Sequence, residues 1–228
     1  MIRNILLDLD DTILDFRKAE HAALEKTLRH FGLEPTEKVL SRYSVINQEQ
    51  WQLLELGKLT RPQVKVRRYA LLFEEFGLSL SPEETAAYYE SRLGVGHWFM
   101  PGAEELLEAL YGKYRLYMVS NGDPKVQAGR IESAGIARYF EEMFVSQDIG
   151  FEKPSVKFFD TCFERIAEFR KEETVIVGDS LTADIKGGVN AGITTVWYNA
   201  RGKELRGVTP DYTVTRLSEL PELLEKLG

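Results

Sequence analysis

The 228-residue chain is predicted to be an α/β protein, a parallel sheet with an all-helical domain inserted into it. Three observations lead there. Short apolar runs, such as Thr-Val-Ile-Val-Gly at 174–178, read as strands covered on both faces. Helical stretches alternate with such runs over the C-terminal half, the order that builds a parallel sheet. One interval, between the first and second strands, is helical throughout and too long to be a simple crossover.

The first strand is placed at 4–9, where Asn-Ile-Leu-Leu-Asp-Leu ends in acidic residues. The helical interval follows. Phe16, Ala19, Ala23, Leu28 and Phe31 recur at helical spacing, and Gly32 is a C-terminal stop. A second helix is expected at 37–55, before Gly57. Thr60-Arg61-Pro62-Gln63 reads as a capping box with proline in the first turn, opening a helix to Phe76 that stops at Gly77. Ser81-Pro82-Glu83-Glu84 is a second capping box. The inserted helical domain is therefore placed at 15–100, with 1–14 and 101–228 forming the core and hinges at 11–16 and 94–102. Past the insertion, helices are expected at 102–112, 124–135, 155–169 and 181–192, and strands at 115–120, 143–146, 174–178 and 194–198.

The composition is globular, with 43% hydrophobic and 29% charged residues. Lys and Arg number 29 against 36 Asp and Glu, a net charge of −7 that argues against a nucleic acid polymer as partner. It leaves a small anionic substrate open. The single cysteine, Cys162, excludes an intrachain disulfide and a thiolate zinc cluster, as expected of a reducing compartment. Cys162 falls on the apolar stripe Phe158, Phe159, Cys162, Ile166 and Phe169, so a buried structural thiol is expected rather than a nucleophile. The apolar run before Asp8 is too short for a signal-peptide core, and no segment approaches the roughly 18 apolar residues of a membrane span. The expectation is a cytoplasmic protein with no membrane partner.

Chemistry-bearing residues collect at the strand ends. The first strand ends in Asp8-Leu9-Asp10-Asp11-Thr12, where two carboxylates two residues apart can converge on one metal or one reacting atom. An Asp-rich turn capping the next helix has the same appearance. The second ends in Ser120-Asn121-Gly122-Asp123, a hydroxyl with backbone N–H groups at a strand–helix junction, which suits an oxyanion and is also ordinary turn chemistry. Lys153 precedes Pro154 after the third strand; alone it reads as a solvated lysine. The fourth runs into Gly178-Asp179, with Asp184 five residues beyond Asp179, a pair suited to a cation or a lysine. Asp8, Ser120, Lys153 and Asp179 thus share the carboxyl edge of the predicted sheet, where open α/β folds bind their ligands.

In these four motifs the chain resembles the haloacid dehalogenase superfamily. Asp-Leu-Asp-Asp-Thr is similar to its first motif, Val-Ser-Asn-Gly to the second, the lysine of Glu-Lys-Pro to the third and Gly-Asp-Ser-Leu-Thr-Ala-Asp to the fourth. Order and spacing match over the whole chain, including a helical cap between the first two motifs. The resemblance implies a Rossmann-like sheet and Mg²⁺-dependent phosphoryl transfer through an aspartyl-phosphate. It makes Asp8 the nucleophile and Asp10 the general acid and base. Dehalogenases proper carry a non-acid at the latter position, so the chain reads as a phosphatase or mutase. By the same resemblance Asp8, the Asp10 carbonyl and Asp179 hold the metal. Ser120, Lys153 and Asn121 hold the phosphoryl oxygens, Asn121 through its backbone or its side chain. Asp184 orients Lys153 or a metal-bound water, and Thr12 fixes Asp10 and the loop by hydrogen bonding.

The implied substrate is a small phosphorylated metabolite chosen by the cap. Lys58, Arg61, Lys65, Arg67 and Arg68 make one cap segment basic, either as a solvated face or as cations reaching an anionic or polar substrate. Trp98 and Phe99 are hinge packing or a wall for a flat base. The opening motif and the segment from Trp51 to Thr60 are similar to the pyrimidine 5'-nucleotidase branch, so a nucleoside monophosphate is the expected substrate. A sugar-phosphate or phosphoglycolate phosphatase, a mutase of the β-phosphoglucomutase kind and a non-catalytic binding protein are the alternatives. The last should have lost one of Asp8, Asp10, Lys153 or Asp179, and all four are present.

Overall fold

The five expected strands pair with one another and, with a sixth short strand the sequence does not announce, form a fully parallel sheet among the described residues, 1–227, of a computed structural model. In chain order the elements begin with β1 (Asn4–Asp8), α1 (Phe16–His30), α2 (Glu37–Glu55), α3 (Arg61–Phe76) and α4 (Pro82–Leu93). They continue with α5 (Ala103–Leu110), β2 (Arg115–Ser120), α6 (Pro124–Ala134), β3 (Glu142–Val145), α7 (Ser146–Ile149) and α8 (Val156–Arg165). The last are β4 (Thr174–Gly178), α9 (Lys186–Ala191), β5 (Thr194–Tyr198), β6 (Tyr212–Val214) and α10 (Leu220–Lys226). The strand order is β3-β2-β1-β4-β5-β6, so β1 is central and the order reverses beside it. No helix among the described residues is long and apolar enough to cross a membrane.

The chain divides into two compact units, one of Met1–Phe16 with His97 onward and one of Arg17–Gly96. In the first, β1 and β4 are buried along their whole length, as a strand covered on both faces requires. Leu7, Leu107, Met118, Val177 and Leu220 belong to one core cluster, and Leu6, Val119, Phe158, Phe159, Cys162 and Ile176 to another. Cys162 is buried, and burial pushes its thiol far up, which suits packing rather than nucleophilic attack. The two connectors to the inserted unit pair as an antiparallel ribbon. Leu14 bridges Phe99, the Asp15 amide donates to the Trp98 carbonyl at 2.7 Å, and the Met100 amide donates to Ile13 at 2.9 Å.

Two expectations about the first unit need correction. α8 stops at Arg165 rather than running to Phe169, because Ile166 is extended and Glu168 adopts φ 52°. Phe169 still joins the stripe, folding back to stack on Phe163 with ring centroids 4.0 Å apart. The helix expected at 181–192 opens with one π turn, Leu181–Ile185, before α9.

The inserted unit is helical as expected, and its N-caps are legible. Ser81 accepts from the Glu84 amide at 3.2 Å, and the Thr60 amide donates to the Gln63 side chain at 2.8 Å. Its basic segment, however, is not one solvated face. Arg68 is buried, donates to Asn47 at 2.9 Å and lies over the rings of Tyr89, Tyr69 and Tyr43 at 4.9–5.9 Å. Lys65 pairs with Glu90 at 3.0 Å, and Arg61 lies over the Trp51 ring at 5.5 Å.

Candidate active site

The parallel registers bring the strand ends level. Asp8 lies opposite Val119, Ser120 opposite Val145, and Gly178 opposite Trp197. The residue types singled out in the sequence therefore meet along one edge of the sheet. After β1 the chain folds back tightly: the Ile13 and Leu14 amides both donate to the Leu9 carbonyl, and Asp11 takes φ 57°. That turn carries Thr12 back beneath Asp8, where its hydroxyl donates to Asp8 Oδ2 at 3.1 Å. The carboxylate that the Thr12 hydroxyl reaches across the loop is thus Asp8, where Asp10 was expected.

Lys153 is only 3% exposed and is the hub of the site. Its Nζ donates to Asp8 Oδ1 at 2.8 Å, to Asp184 Oδ1 at 2.7 Å and to the Val119 carbonyl at 2.9 Å, which uses all three ammonium hydrogens. Burial opposes that charge, but Asp184 and Asp8 outweigh it and hold the ammonium above its ordinary value. Asp184 can reach Lys153 because Gly178 stands in its path: a Cβ there would overlap the Asp184 carboxylate. The second Asp184 oxygen accepts from the Ser180 amide at 3.0 Å.

Asp8 is buried, and desolvation pushes its carboxyl well above the ordinary range. Lys153 pulls it down, while Asp184, Asp10 and Asp179 push it up again. Burial likewise lifts Asp179 to about 6, against Lys203, whose Nζ donates to Asp179 Oδ2 at 2.7 Å. Ligand oxygens of Asp8, Asp179 and Asp184 all lie within 4.8 Å of one another. Crowded, partly desolvated carboxylates offering only oxygen are the donor set a hard divalent cation prefers.

Ser120 ends β2 and Asn121 follows it. The Ser120 hydroxyl oxygen accepts from the Gly122 amide at 3.0 Å. The Asn121 side chain is committed to the backbone of Lys153, donating to its carbonyl and accepting from its amide, both at 2.9 Å. Of the two roles open to Asn121, the side-chain donor is therefore already used to tie the second motif to the third.

Asp10 projects away from the carboxylate cluster toward α6. Its Oδ2 accepts from Gln127 Nε2 at 2.6 Å, and its Oδ1 pairs with Arg130. Neither residue was singled out from the sequence. Gln127 and Arg130 stand at (i, i+3) between Val126 and Ile131 on a helix that follows the Ser-Asn-Gly motif, a spacing that makes them neighbours without announcing that both are buried. The loop after β5, which carries no motif, supplies Lys203 to Asp179 and Arg201 to Asp11 at 3.2 Å.

A sequence profile of the family described as haloacid dehalogenase-like hydrolase matches residues 5–198. The chain is 39% identical to the HAD-hydrolase YfnB of Bacillus subtilis over 97% of its length and 95% of the relative's. A crystal structure of YfnB bound to magnesium superposes with a TM-score of 0.94, covering 98% of each chain. The chain is 36% identical to pyrimidine 5'-nucleotidase PynA of Streptococcus pneumoniae, over 97% of this chain and 94% of that one. Identity to pyrimidine 5'-nucleotidase YjjG of Escherichia coli is 29%, over 97% of each chain.

Proposed function

This chain belongs to the haloacid dehalogenase-like hydrolases and is a phosphatase of that family, and from that premise we propose that it hydrolyses nucleoside monophosphates through an aspartyl-phosphate on Asp8. The observation that carries the reading is the pair of carboxylates at one strand end. Asp8 lies among Lys153, Thr12 and the acidic cluster, while Asp10, two residues on, is held separately by α6.

Asp8 attacks phosphorus in line, and Asp10 protonates the departing alkoxide. Asp10 then takes the proton of the water that cleaves the acyl phosphate. The Ser120 hydroxyl and the Lys153 ammonium hold the phosphoryl oxygens, where charge gathers in the transition state; Lys153 does so by turning one of its three hydrogens from a present partner to the substrate. Asp184 fixes Lys153, and Thr12 fixes the attacking carboxylate. Asp8, Asp179 and the Asp10 carbonyl are the residues that would hold Mg²⁺; when bound, it neutralises the repulsion between the Asp8 carboxylate and the substrate's phosphoryl oxygens.

Two relatives are named pyrimidine 5'-nucleotidases, and that similarity spans almost the whole chain, inserted unit included. It supports a pyrimidine nucleoside monophosphate as substrate. A phosphate-release screen with Mg²⁺, run over nucleoside monophosphates, hexose phosphates and phosphoglycolate, tests this. Pyrimidine monophosphates are expected to give the highest kcat/KM. A hexose phosphate or phosphoglycolate in that place would overturn the substrate and leave the phosphatase chemistry standing.

A second expected outcome concerns pH. Asp179 is raised from 3.8 to about 6, so the metal-free native state binds its proton more tightly than the unfolded chain does. Stability from this group is full below its unfolded value and is lost as pH rises through about 6. A cation that needs the ionised form restores it only on the alkaline side. The rise in Tm on adding Mg²⁺ is therefore expected to be large near pH 7.5 and to shrink steeply toward about pH 5. An equal rise at both would contradict the assignment of Asp179.

A further inference from the structure

We propose that Gln127 and Arg130 are positioning residues that hold the Asp10 carboxyl in its working orientation, with Gln127 tying that orientation to the Ser120 hydroxyl. The proposal rests on the reading of Asp10 as general acid and base. It goes beyond that reading by assigning a task to two side chains of α6.

The geometry is specific. Arg130 is fully buried, yet it carries a full charge, and an uncompensated guanidinium inside a protein is costly. Its Nη1 donates both to Asp10 Oδ1 and, at 3.0 Å, to Gln127 Oε1. Gln127 is also buried, at 2% exposure. Its Nε2 donates to Asp10 Oδ2 at 2.6 Å and to Ser120 Oγ at 2.8 Å. Both carboxylate oxygens of Asp10 are thus engaged by two residues one helical turn apart, themselves bonded to each other. That is a fixed fork rather than a chance surface pairing. Gly122 makes room for it, since a Cβ there would overlap the Gln127 side chain. Arg130 also lies over the ring of Phe16, 5.6 Å from its centroid, a further favourable contact for the buried guanidinium.

The step that depends on this orientation is departure of the leaving group. An Asp8 oxygen forms a bond to phosphorus, the bond from phosphorus to the ester oxygen breaks, and that oxygen takes the Asp10 proton. Asp10 is left as a carboxylate, which the fork then holds until a water gives back the proton. A misaimed Asp10 therefore harms an alkoxide leaving group and spares one that departs without a proton.

The experiment measures single-turnover phosphorylation of the enzyme by two substrates. One is p-nitrophenyl phosphate, whose nitrophenolate leaves unprotonated; the other is the best alkyl phosphate of the wild-type enzyme. Arg130→Met and Gln127→Met are each expected to slow the alkyl phosphate roughly 10–100-fold, part of the 10²–10⁴ that proton transfer supplies. Arg130→Met should change p-nitrophenyl phosphate by less than about threefold, with the half-saturating concentration little altered; Gln127→Met, which also frees the Ser120 hydroxyl, should slow p-nitrophenyl phosphate at least about fivefold less than it slows the alkyl phosphate. Arg130→Lys should recover part of the loss. Adding Arg130→Met to Asp10→Asn should cost nothing further on the alkyl phosphate, because the group being positioned is already gone. Equal losses on both substrates, or losses that add in the double variant, would overturn the proposal and leave Arg130 a packing residue. If Arg130→Met does not fold, Gln127→Met decides by the same two rates. Should Asp10→Asn itself slow both substrates alike, the general-acid reading fails and takes the proposal with it. Selectivity in Asp10→Asn without selectivity in Gln127→Met or Arg130→Met overturns the proposal alone.

Discussion

An Asp8→Asn protein is expected to fold as the wild type does and to lose turnover by roughly 10⁴-fold or more, the scale on which removing a covalent nucleophile acts. The amide has nearly the same shape, and the end of β1 can keep it. Its oxygen can accept from Lys153, where Asp8 Oδ1 does now, and its NH₂ can donate to the Thr12 hydroxyl oxygen. It also removes one of several mutually repelling carboxylates, so stability should not fall. What it lacks is an anionic oxygen able to form an acyl phosphate. Circular dichroism and phosphate release on the same preparation check both halves. Turnover within about tenfold of wild type would contradict the covalent mechanism.

Lys153→Met is expected to be costly in two currencies. With the ammonium gone, the buried Asp8 and Asp184 carboxylates lose the cation between them and keep only neutral donors, the Thr12 hydroxyl on Asp8 and the Ser180 amide on Asp184, among the bonds described above. Breaking such a pair by removing one partner costs about 3–5 kcal/mol. Asp8 is already raised by burial, and without its lysine it is raised further. Part of the lost stability should therefore return as pH falls and a carboxyl protonates. The rate should drop roughly 10²–10³-fold through lost stabilisation of the phosphoryl oxygens, and lowering the pH should not restore it. Urea unfolding across pH and phosphate release at neutral pH separate the two effects. A Lys153→Met protein as stable and as active as wild type would show that the lysine is neither hub nor phosphate ligand.

The sheet edge was legible because its parts are local. The run Asn4–Asp8 is apolar, ends in acid and needs no distant partner to be recognised as a buried strand. The same holds for Thr174–Gly178 and for the capped helices of the inserted unit, whose signals lie within four residues of each helix start. β6 escaped because Tyr212 and Thr213 are exposed and only Val214 is buried, so three residues carry no periodicity to detect. The burial of Arg68, named above only as part of a basic segment, and that of Arg130 are hidden for another reason. A buried arginine looks like any surface arginine until the distant groups that compensate it, here Asn47 with Tyr43 and Tyr89, or Asp10, arrive from elsewhere in the chain. The choice of Asp8 over Asp10 as the partner of Thr12 depends on the positive φ of Asp11, which no residue type announces.

The central claim is that phosphoryl transfer passes through Asp8, and the direct test is to trap it there. Asp10→Asn should slow hydrolysis of the intermediate, so this variant is mixed with substrate and Mg²⁺, quenched in acid and digested for peptide mass spectrometry. A phosphoryl group on the peptide of β1, localised to Asp8 and absent from Asp8→Asn controls, is the predicted result. Release of the leaving group with no phosphoryl group on the protein, or with one on any other residue, would contradict it.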